Sequence, residues 1–142
     1  YEALLKEYVA MAQKLGNPCV VAPMIKFDTE IIIGMKTDVT FGPLVLVGAG
    51  GIYTELLNDK IVLLPSASRK EIEDKLKSLK TYKLLCGYRG SKSVNIKKLI
   101  DTIEIFCKAV NTLSSYVKEI DINPVAINED EITALDALII CK

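Results

Sequence analysis

Histidine is absent from all 142 residues of the chain. Its absence excludes Ser-His-Asp and Cys-His catalysis within this chain, because both mechanisms need an imidazole as the base. It also excludes histidine-ligated metal sites and a phosphohistidine formed on the chain itself. If the chemistry of the protein needs a histidine, that residue must come from another segment or another subunit.

Cysteine is sparse and lacks the spacing of a metal site. The cysteines include no C-x-x-C pair and mostly lie in apolar runs: Cys19, Cys86, Cys107 and Cys141. This pattern favours reduced core thiols, as in cytosolic proteins, over disulfides or zinc ligands. The sequence has neither a signal-peptide pattern nor an apolar run long enough to cross a bilayer, so we expect a cytoplasmic location and no membrane partner.

Charge of one sign is not in excess either. Lysine plus arginine and aspartate plus glutamate each number 18, so the overall charge gives no reason to expect nucleic acid as a partner. Small anions and other proteins are the expected partners. A chain of 142 residues that is 50% hydrophobic predicts one compact domain. The helical pattern at its first residues suggests that earlier parts of a complete domain are missing or belong to another chain.

Hydrophobic periodicity predicts three helices. Apolar residues between Leu4 and Leu15 recur at helical spacing up to Gly16, a residue typical of helix C-termini. A capping box at 68–71 opens a second helix that reaches about residue 79, with Ile72, Leu76 and Leu79 facing inward. A longer apolar stripe predicts a third helix over 96–113.

Short apolar runs bounded by turn residues predict the strands. These runs lie at 19–22, 30–36, 44–47, 52–57, 61–64, 119–127 and 132–140. The chain is predicted to start with a helix followed by a strand. Most of the later strands are joined by connections short enough for hairpins. The predicted class is therefore α+β, a mostly antiparallel sheet covered by helices, without an internal domain boundary.

The last predicted hairpin carries a group of oxygen donors. A turn centred between residues 129 and 130 would bring Asn123 opposite Asp136, and Asp121 projects from the same face as Asn123 because side chains alternate along a strand. The apolar neighbours would point to the other face: Ile120, Ile122, Leu135 and Ile139. Mg²⁺ usually binds one or two carboxylates together with substrate phosphates and waters, so the set is suited to Mg²⁺. The alternative is a hairpin whose polar face is simply solvated.

Other segments give weaker signals, each with an ordinary structural alternative. The glycine-rich run at 48–51 could cradle a phosphate with its N–H groups or merely form a tight turn. Arg89 stands between glycines in a loop, where a guanidinium could reach a phosphate or could simply lie on the surface. Glu55 is a half-exposed glutamate, and Glu30 opens a strand of isoleucines either as a solvated edge residue or as a site residue.

Several of these segments follow one another in a recognisable order. They are EIIIG at 30–34, FGP at 41–43, GAGGIYTE at 48–55, GYRG at 87–90, and DINP at 121–124 with LDA at 135–137. Together they resemble the C-terminal ATP-grasp subdomain of the β subunit of ADP-forming acetyl-CoA synthetases, over nearly the whole chain. The metal hairpin is also similar to that of succinyl-CoA synthetase β chains.

The resemblance implies a fold and a reaction. The fold is the ATP-grasp fold, in which two α+β subdomains hold ATP or ADP with Mg²⁺, and residues 1–142 would be one of the two. In the implied reaction, acyl-CoA and phosphate give an acyl phosphate, a histidine takes up the phosphoryl group, and ADP accepts it to form ATP. The histidine-bearing grasp subdomain and the CoA-binding subunit or domains would be partners, in a hetero-oligomer or a fusion.

The resemblance also implies roles for individual residues. Asn123 and Asp136 would be Mg²⁺ ligands, with Asp121 as a further oxygen donor beside the phosphoryl group. Arg89 and Glu55 would lie near the phosphate and the incoming histidine loop. The remaining residues would contact the nucleotide, the first three as a hinge that receives the adenine: Ala22, Pro23, Met24, Glu30, Lys36, Gly50 and Gly51.

Four positions depart from the family pattern. Thr37, Leu138 and either Val62 or Leu63 stand where relatives carry arginine, and Ala22 stands where glutamine is usual. Loss of cationic groups should weaken polyphosphate binding. We therefore keep an alternative function: a non-catalytic or regulatory synthetase-like domain, such as the one that accompanies some protein acetyltransferases.

Overall fold

The computed structural model describes residues 1–16, 20–50, 58–90 and 92–142. Its elements are α1 (Glu2–Leu15), β1 (Thr29–Asp38), β2 (Gly42–Ala49), β3 (Lys60–Leu63), α2 (Arg69–Ser78), α3 (Tyr82–Leu85), α4 (Ile96–Leu113), β4 (Val117–Ile127), β5 (Ile132–Ala134) and β6 (Leu138–Cys141). The strands form an antiparallel sheet in the order β3-β2-β1-β4-β5, and β6 pairs with another part of β4. The predicted α+β class is confirmed.

The core lies between one face of this sheet and the helices α2 and α4. Alternate residues of β1 are buried against it, namely Ile31, Ile33 and Met35. Both helices begin with side-chain caps, because Ser68 accepts a hydrogen bond from the Glu71 N–H and Asn95 accepts one from the Lys98 N–H. Ile72, Leu76 and Leu79 are buried, as their spacing predicts.

The strand predicted at 19–22 is wrong over its described part. Val20, Val21 and Ala22 are exposed and belong to no strand, and the side chain of Val20 keeps 91% of its accessible surface. A run of β-branched residues forms a strand only where a neighbouring strand satisfies its backbone groups, and within the described residues none pairs with this segment. The strand predicted at 52–57 falls outside the described residues.

The second strand of the closing hairpin is broken where the sequence predicts continuity. β5 ends at Ala134 and β6 begins at Leu138, although both follow one register about a turn centred at 129–130. Ile120 is in the core and Ile122 packs against it, as predicted. Leu135 and Ile139 remain exposed, because Leu135 lies in the break between β5 and β6 and Ile139 lies on β6, at the sheet edge beside β4.

The cysteines agree only in part with the prediction of core thiols. Cys107 is buried on α4, and burial raises the pKa of its thiol. Cys86 and Cys141 are free but exposed, and Cys19 lies outside the described residues. Within the part of the chain that the structure describes, no helix has the length and apolar character needed to cross a membrane.

Candidate functional site

The face of the sheet that points away from α2 and α4 gathers several of the predicted site residues. Glu30, Ile32, Gly34 and Lys36 alternate with the buried residues of β1 and therefore lie on this face, which we call the open face. Gly34 pairs with Asp121, and Lys36 with Glu119. A cleft of about 140 Å³ on the open face is lined by Ile32, Gly34, Met35, Lys36, Leu46, Glu119, Ile120 and Asp121.

Asp121 has a buried carboxylate oxygen that lacks a partner. Its Oδ1 atom is shielded from solvent and has no hydrogen-bond partner among the described residues. Lys36 does not fill this gap, since its Nζ lies 3.8 Å from Glu119 Oε2 and its side chain is largely exposed. An unpaired buried carboxylate oxygen is costly, so this atom is suited to a cation or to a ligand hydrogen-bond donor.

Asp136 falls in the gap between β5 and β6, and Asn123 lies on the part of β4 that runs beside this gap. Val125 pairs with Ala134 on one side of the gap and Asp121 pairs with Leu138 on the other. The same register continued through the gap sets Asn123 opposite Asp136, as the sequence predicts. The Asn123-Pro124 peptide is cis, and Asp136 Oδ1 accepts a hydrogen bond from the Ala137 N–H.

The predicted metal site has a small donor set. Among the described residues there is no group of three or more histidine, cysteine, aspartate or glutamate side chains placed to hold a metal ion. Asp121, Asn123 and Asp136 supply two carboxylates and one amide. That number fits Mg²⁺, which keeps waters and phosphate oxygens among its ligands, and does not fit a cage made of protein groups alone. The metal site stays a prediction.

The glycine-rich run makes close backbone contacts that its sequence pattern does not predict. The Gly50 N–H donates to the Glu30 carbonyl at 3.1 Å and the Ala49 N–H donates to the Asp59 carbonyl at 2.9 Å. A Cβ atom added at Gly50 would lie 2.6 Å from the Ile31 backbone. Both N–H groups therefore already have partners. The lack of a side chain at Gly50 allows its backbone to approach that of Ile31. Gly51 and Glu55 lie outside the described residues.

Arg89 occupies a left-handed backbone conformation in its loop. Its φ is +52°, between Gly87 at +86° and Gly90 at +89°. The guanidinium stacks over the Tyr88 ring, 5.4 Å from its centroid. A non-glycine residue in this region is mildly strained, and such residues cluster at functional sites. Its contact with a phosphate stays a prediction.

The predicted adenine hinge is an exposed stretch without regular structure. Ala22, Pro23 and Met24 are exposed, and the Met24 side chain keeps 93% of its accessible surface. Their backbone groups are thus open to a ligand. Their role in adenine binding stays a prediction.

Asp59, just before β3, is a buried carboxylate that the sequence patterns do not predict. It keeps 7% of its accessible surface and accepts hydrogen bonds from the Lys80 N–H, the Thr81 N–H and the Thr81 hydroxyl at 2.7–2.8 Å. Burial tends to raise the pKa of Asp59, but these hydrogen bonds outweigh it and leave the pKa below its ordinary value. Its sequence context, Asn58-Asp59, is typical of turns and gives no sign of these distant partners.

Comparison with known proteins identifies the family. The sequence model of the ATP-grasp domain matches residues 1–141. The chain belongs to the ATP-grasp family. This ATP-grasp chain is 39% identical over 124 residues to a 4-hydroxybutyrate–CoA ligase (ADP-forming) of Nitrosopumilus maritimus, covering 87% of the chain and 17% of that enzyme.

Further relatives place this ATP-grasp chain among parts of larger proteins. It is 34% identical over 124 residues to the β subunit of acetate–CoA ligase (ADP-forming) II of Pyrococcus furiosus, covering 86% of the chain and 52% of the subunit. It also superimposes on acetyl-CoA synthetase 1 of Ca. Korarchaeum cryptofilum, solved with CoA and Mg-AMPPCP, with a TM-score of 0.75 and 26% identity over 97% of this chain and 83% of that one. The resemblance stated from the sequence is confirmed.

Proposed function

We propose that this chain is the nucleotide- and Mg²⁺-binding part of an ADP-forming acyl-CoA synthetase. Its relatives are ADP-forming CoA ligases, and the related synthetase was solved with Mg-AMPPCP and a phosphohistidine segment pointing towards its nucleotide-binding site. The chain spans about half of the curated P. furiosus subunit. The activity therefore belongs to a larger assembly that also contains a histidine-bearing segment and CoA-binding domains, in the cytoplasm.

The unpaired Oδ1 atom of Asp121 is the observation that carries this proposal. A buried carboxylate oxygen without a partner lies on the open face, in a cleft that Lys36 also lines. Packing alone gives no reason to keep such a group, because desolvation without a hydrogen bond costs about 1–3 kcal/mol or more. Interaction with a cation, or with a donor on a ligand, would remove that cost.

The proposed roles divide the site into metal ligands and phosphate contacts. Asp121, Asn123 and Asp136 would hold Mg²⁺, which when bound offsets the charge of the nucleotide phosphates. Lys36 extends from the same face into solvent, where its ammonium can meet phosphate oxygens. Arg89 would donate two parallel hydrogen bonds to the transferred phosphoryl group. Ala22, Pro23 and Met24 would offer backbone groups to the base. Glu30 lies at the start of β1, shortly after these residues, and its carbonyl accepts a hydrogen bond from the Gly50 N–H.

ATP formation by the assembled enzyme tests this function. The full-length protein is supplied with an acyl-CoA, phosphate, ADP and Mg²⁺, and ATP is measured by a luminescent assay. We expect ATP to form only when all four are present and to stop when Mg²⁺ is chelated. If the assembled protein does not bind Mg-ADP in calorimetry, the proposal is wrong.

One observation favours the alternative of a non-catalytic domain. Leu138, at a position where the family pattern has arginine, pairs with Asp121, so an aliphatic side chain faces the unpaired carboxylate. If lost charge has silenced the site, Leu138→Arg should increase Mg-ADP affinity and turnover by at least about tenfold, since a charge-assisted hydrogen bond is worth about 1.5–3 kcal/mol. Ile140→Arg is the matched control, because Ile140 lies on the same strand as Leu138 but pairs with Glu119. An active natural protein that Leu138→Arg does not improve would exclude the alternative.

A further inference from the structure

The β4–β5 turn, residues 128–131, is organised by one side chain. Asn128 Oδ1 accepts hydrogen bonds from the Asp130 N–H at 2.9 Å and from the Glu131 N–H at 2.7 Å. These two donors determine which end of the amide is oxygen, because only an acceptor can face them. The Nδ2 group is therefore directed away from the turn, where it donates to the Lys26 carbonyl at 3.2 Å.

Lys26 belongs to the segment that leads into β1. We call residues 20–28 the hinge segment; its described residues form no helix or strand and are mostly exposed. The Asp28 N–H donates to the Ile127 carbonyl at 2.9 Å, beside the bond from Asn128 to Lys26. Both bonds join the hinge segment to the end of β4 and its turn, about a hundred residues further along the chain.

We propose that Asn128 is a positioning residue for the nucleotide, because its amide fastens the hinge segment to the hairpin that carries Asn123 and Asp136. This inference rests on the proposed function. Without this bond, Lys26 and the residues before it would lose a link to the hairpin, since the bond from Asp28 joins only the last residue of the hinge segment and the segment has no regular structure of its own. Through Asn128, the residues that receive the base are held at a constant distance from those that hold the metal and the phosphates.

The surroundings of Asn128 make this bond sensitive to charge. A cleft of about 270 Å³ lies between the hinge segment and the turn, lined by lysines and acids that include Lys26, Lys92, Asp28 and Glu129. Lys92 Nζ lies 3.4 Å from Glu129 Oε2, and Lys98 donates to the Asp130 carbonyl. Substitution of Asn128 by aspartate would therefore remove the hydrogen-bond donor and also add a negative charge. A neutral substitution is needed beside it.

The test uses Asn128→Asp and Asn128→Ser in the full-length enzyme. Both residues can still accept the turn N–H groups, and neither can donate to the Lys26 carbonyl as the amide does. We expect both to raise the KM for ADP by about three- to tenfold, the value of one net hydrogen bond, with kcat changed by less than about twofold. The affinity for Mg-tripolyphosphate, which has no base, should stay unchanged.

Asn111 provides the matched control. Its Nδ2 donates to the Pro65 carbonyl at 3.4 Å, which is also a bond from an exposed amide to a distant loop carbonyl. Asn111→Asp and Asn111→Ser should leave the KM for ADP unchanged. Hydrogen exchange without nucleotide should speed up in the hinge segment in the Asn128 variants only.

The outcomes separate this inference from the proposed function. If natural enzyme does not bind Mg-ADP, the proposed function fails first. If it binds Mg-ADP and both Asn128 variants bind it equally well, Asn128 has no positioning role. An effect of Asn128→Asp without an effect of Asn128→Ser would assign the change to charge, and an equal loss of tripolyphosphate affinity would assign it to general destabilisation; either result overturns the inference.

Discussion

At the scale of single residues, the open face brings carboxylates to a position where packing does not need them. Asp121 is partly buried yet leaves one oxygen unpaired, while Asp136, at the break between β5 and β6, is exposed. Both are set by the register of β4 with its neighbours. We expect both residues to contribute more to ligand binding than to stability, which substitution can test.

Asp136→Ala should remove Mg²⁺-dependent nucleotide binding and leave folding intact. Loss of a metal ligand should reduce the Mg-ADP affinity of the assembled enzyme by at least about tenfold, because even groups that only orient a ligand are worth that much. Asp136 is exposed, so the thermal unfolding temperature should hardly change. Asp130→Asn, which removes a charge from the nearby turn, is the control. Undiminished Mg-ADP affinity in calorimetry would exclude Asp136 from the metal site.

Arg89→Lys should separate catalysis from binding. Lysine keeps the charge but cannot donate two parallel hydrogen bonds, so turnover should fall about a hundredfold while nucleotide affinity is largely kept. Arg69→Lys is the matched control, because Arg69 binds Asp101 and Glu104 on α4 and lies outside the proposed site. Normal turnover of Arg89→Lys in a normally folded enzyme would show that Arg89 has no catalytic role.

Arg89→Gly should leave stability equal or higher while it abolishes turnover. Glycine adopts the φ of +52° without strain, whereas a side chain there costs about 1 kcal/mol. The unfolding temperature should therefore rise or stay equal, although a cationic group is lost. A clear decrease in the unfolding temperature would mean that Arg89 supports the loop structurally.

At the scale of elements, buried backbone contacts fasten the loops around the sheet. Gly50 allows its loop to approach Ile31, and Asp59 ties the start of β3 to the turn between α2 and α3. These contacts use hydrogen bonds between segments that lie far apart in sequence. The strength of the hydrogen bonds to the Asp59 carboxylate depends on its ionisation, which makes stability depend on pH.

Asp59→Asn should destabilise the fold and flatten its response to acid. At neutral pH the loss should be about 1–3 kcal/mol, because buried N–H groups lose a charged acceptor. The pKa of Asp59 is lowered in the folded state, so its contribution is complete above the ordinary value of 3.8 and disappears as pH falls through the folded pKa. Denaturant unfolding from pH 7 to pH 2 measures this, with Asp74→Asn on α2 as an exposed control. Parallel pH curves for Asp59→Asn and natural protein would contradict the prediction.

At the scale of the whole molecule, the chain would supply part of the proposed site and lacks the histidine that the proposed reaction needs. It has no histidine, and its relatives are longer. The apolar side of α1 is exposed in the structure, with no residue of this helix buried. These features agree with the proposed role of the chain as one of two subdomains that bind the nucleotide.

Incubation with labelled ATP should distinguish the isolated chain from the complete assembly. The isolated chain should acquire no acid-labile phosphate, whereas the assembly with a histidine-bearing segment should. Acid treatment followed by gel autoradiography measures the difference, and a heat-unfolded sample is the control. A stable phosphoenzyme on the isolated chain would show that the proposed phosphohistidine route is wrong.

Much of the fold could be predicted from local patterns in the sequence. Alternation in β1, the cap at Ser68 and the stripe along α4 depend on residues close in sequence, and the structure confirms them. The turn at 129–130 was also predictable, because a hairpin register depends only on its centre. That register is the reason why Asn123 and Asp136 could be proposed together.

Contacts between distant segments decided the rest. The apolar run at 20–22 forms no strand because nothing in the described fold pairs with it, and β6 leaves Ile139 exposed because it lies at an edge. The bond from Asn128 to Lys26 joins residues 102 positions apart. The sequence by itself determined which residues could bind metal and phosphate, since chemical type and spacing are local properties. Only the tertiary structure decided which carboxylate stays unpaired and which loops are held together, because both depend on what the folded chain brings alongside.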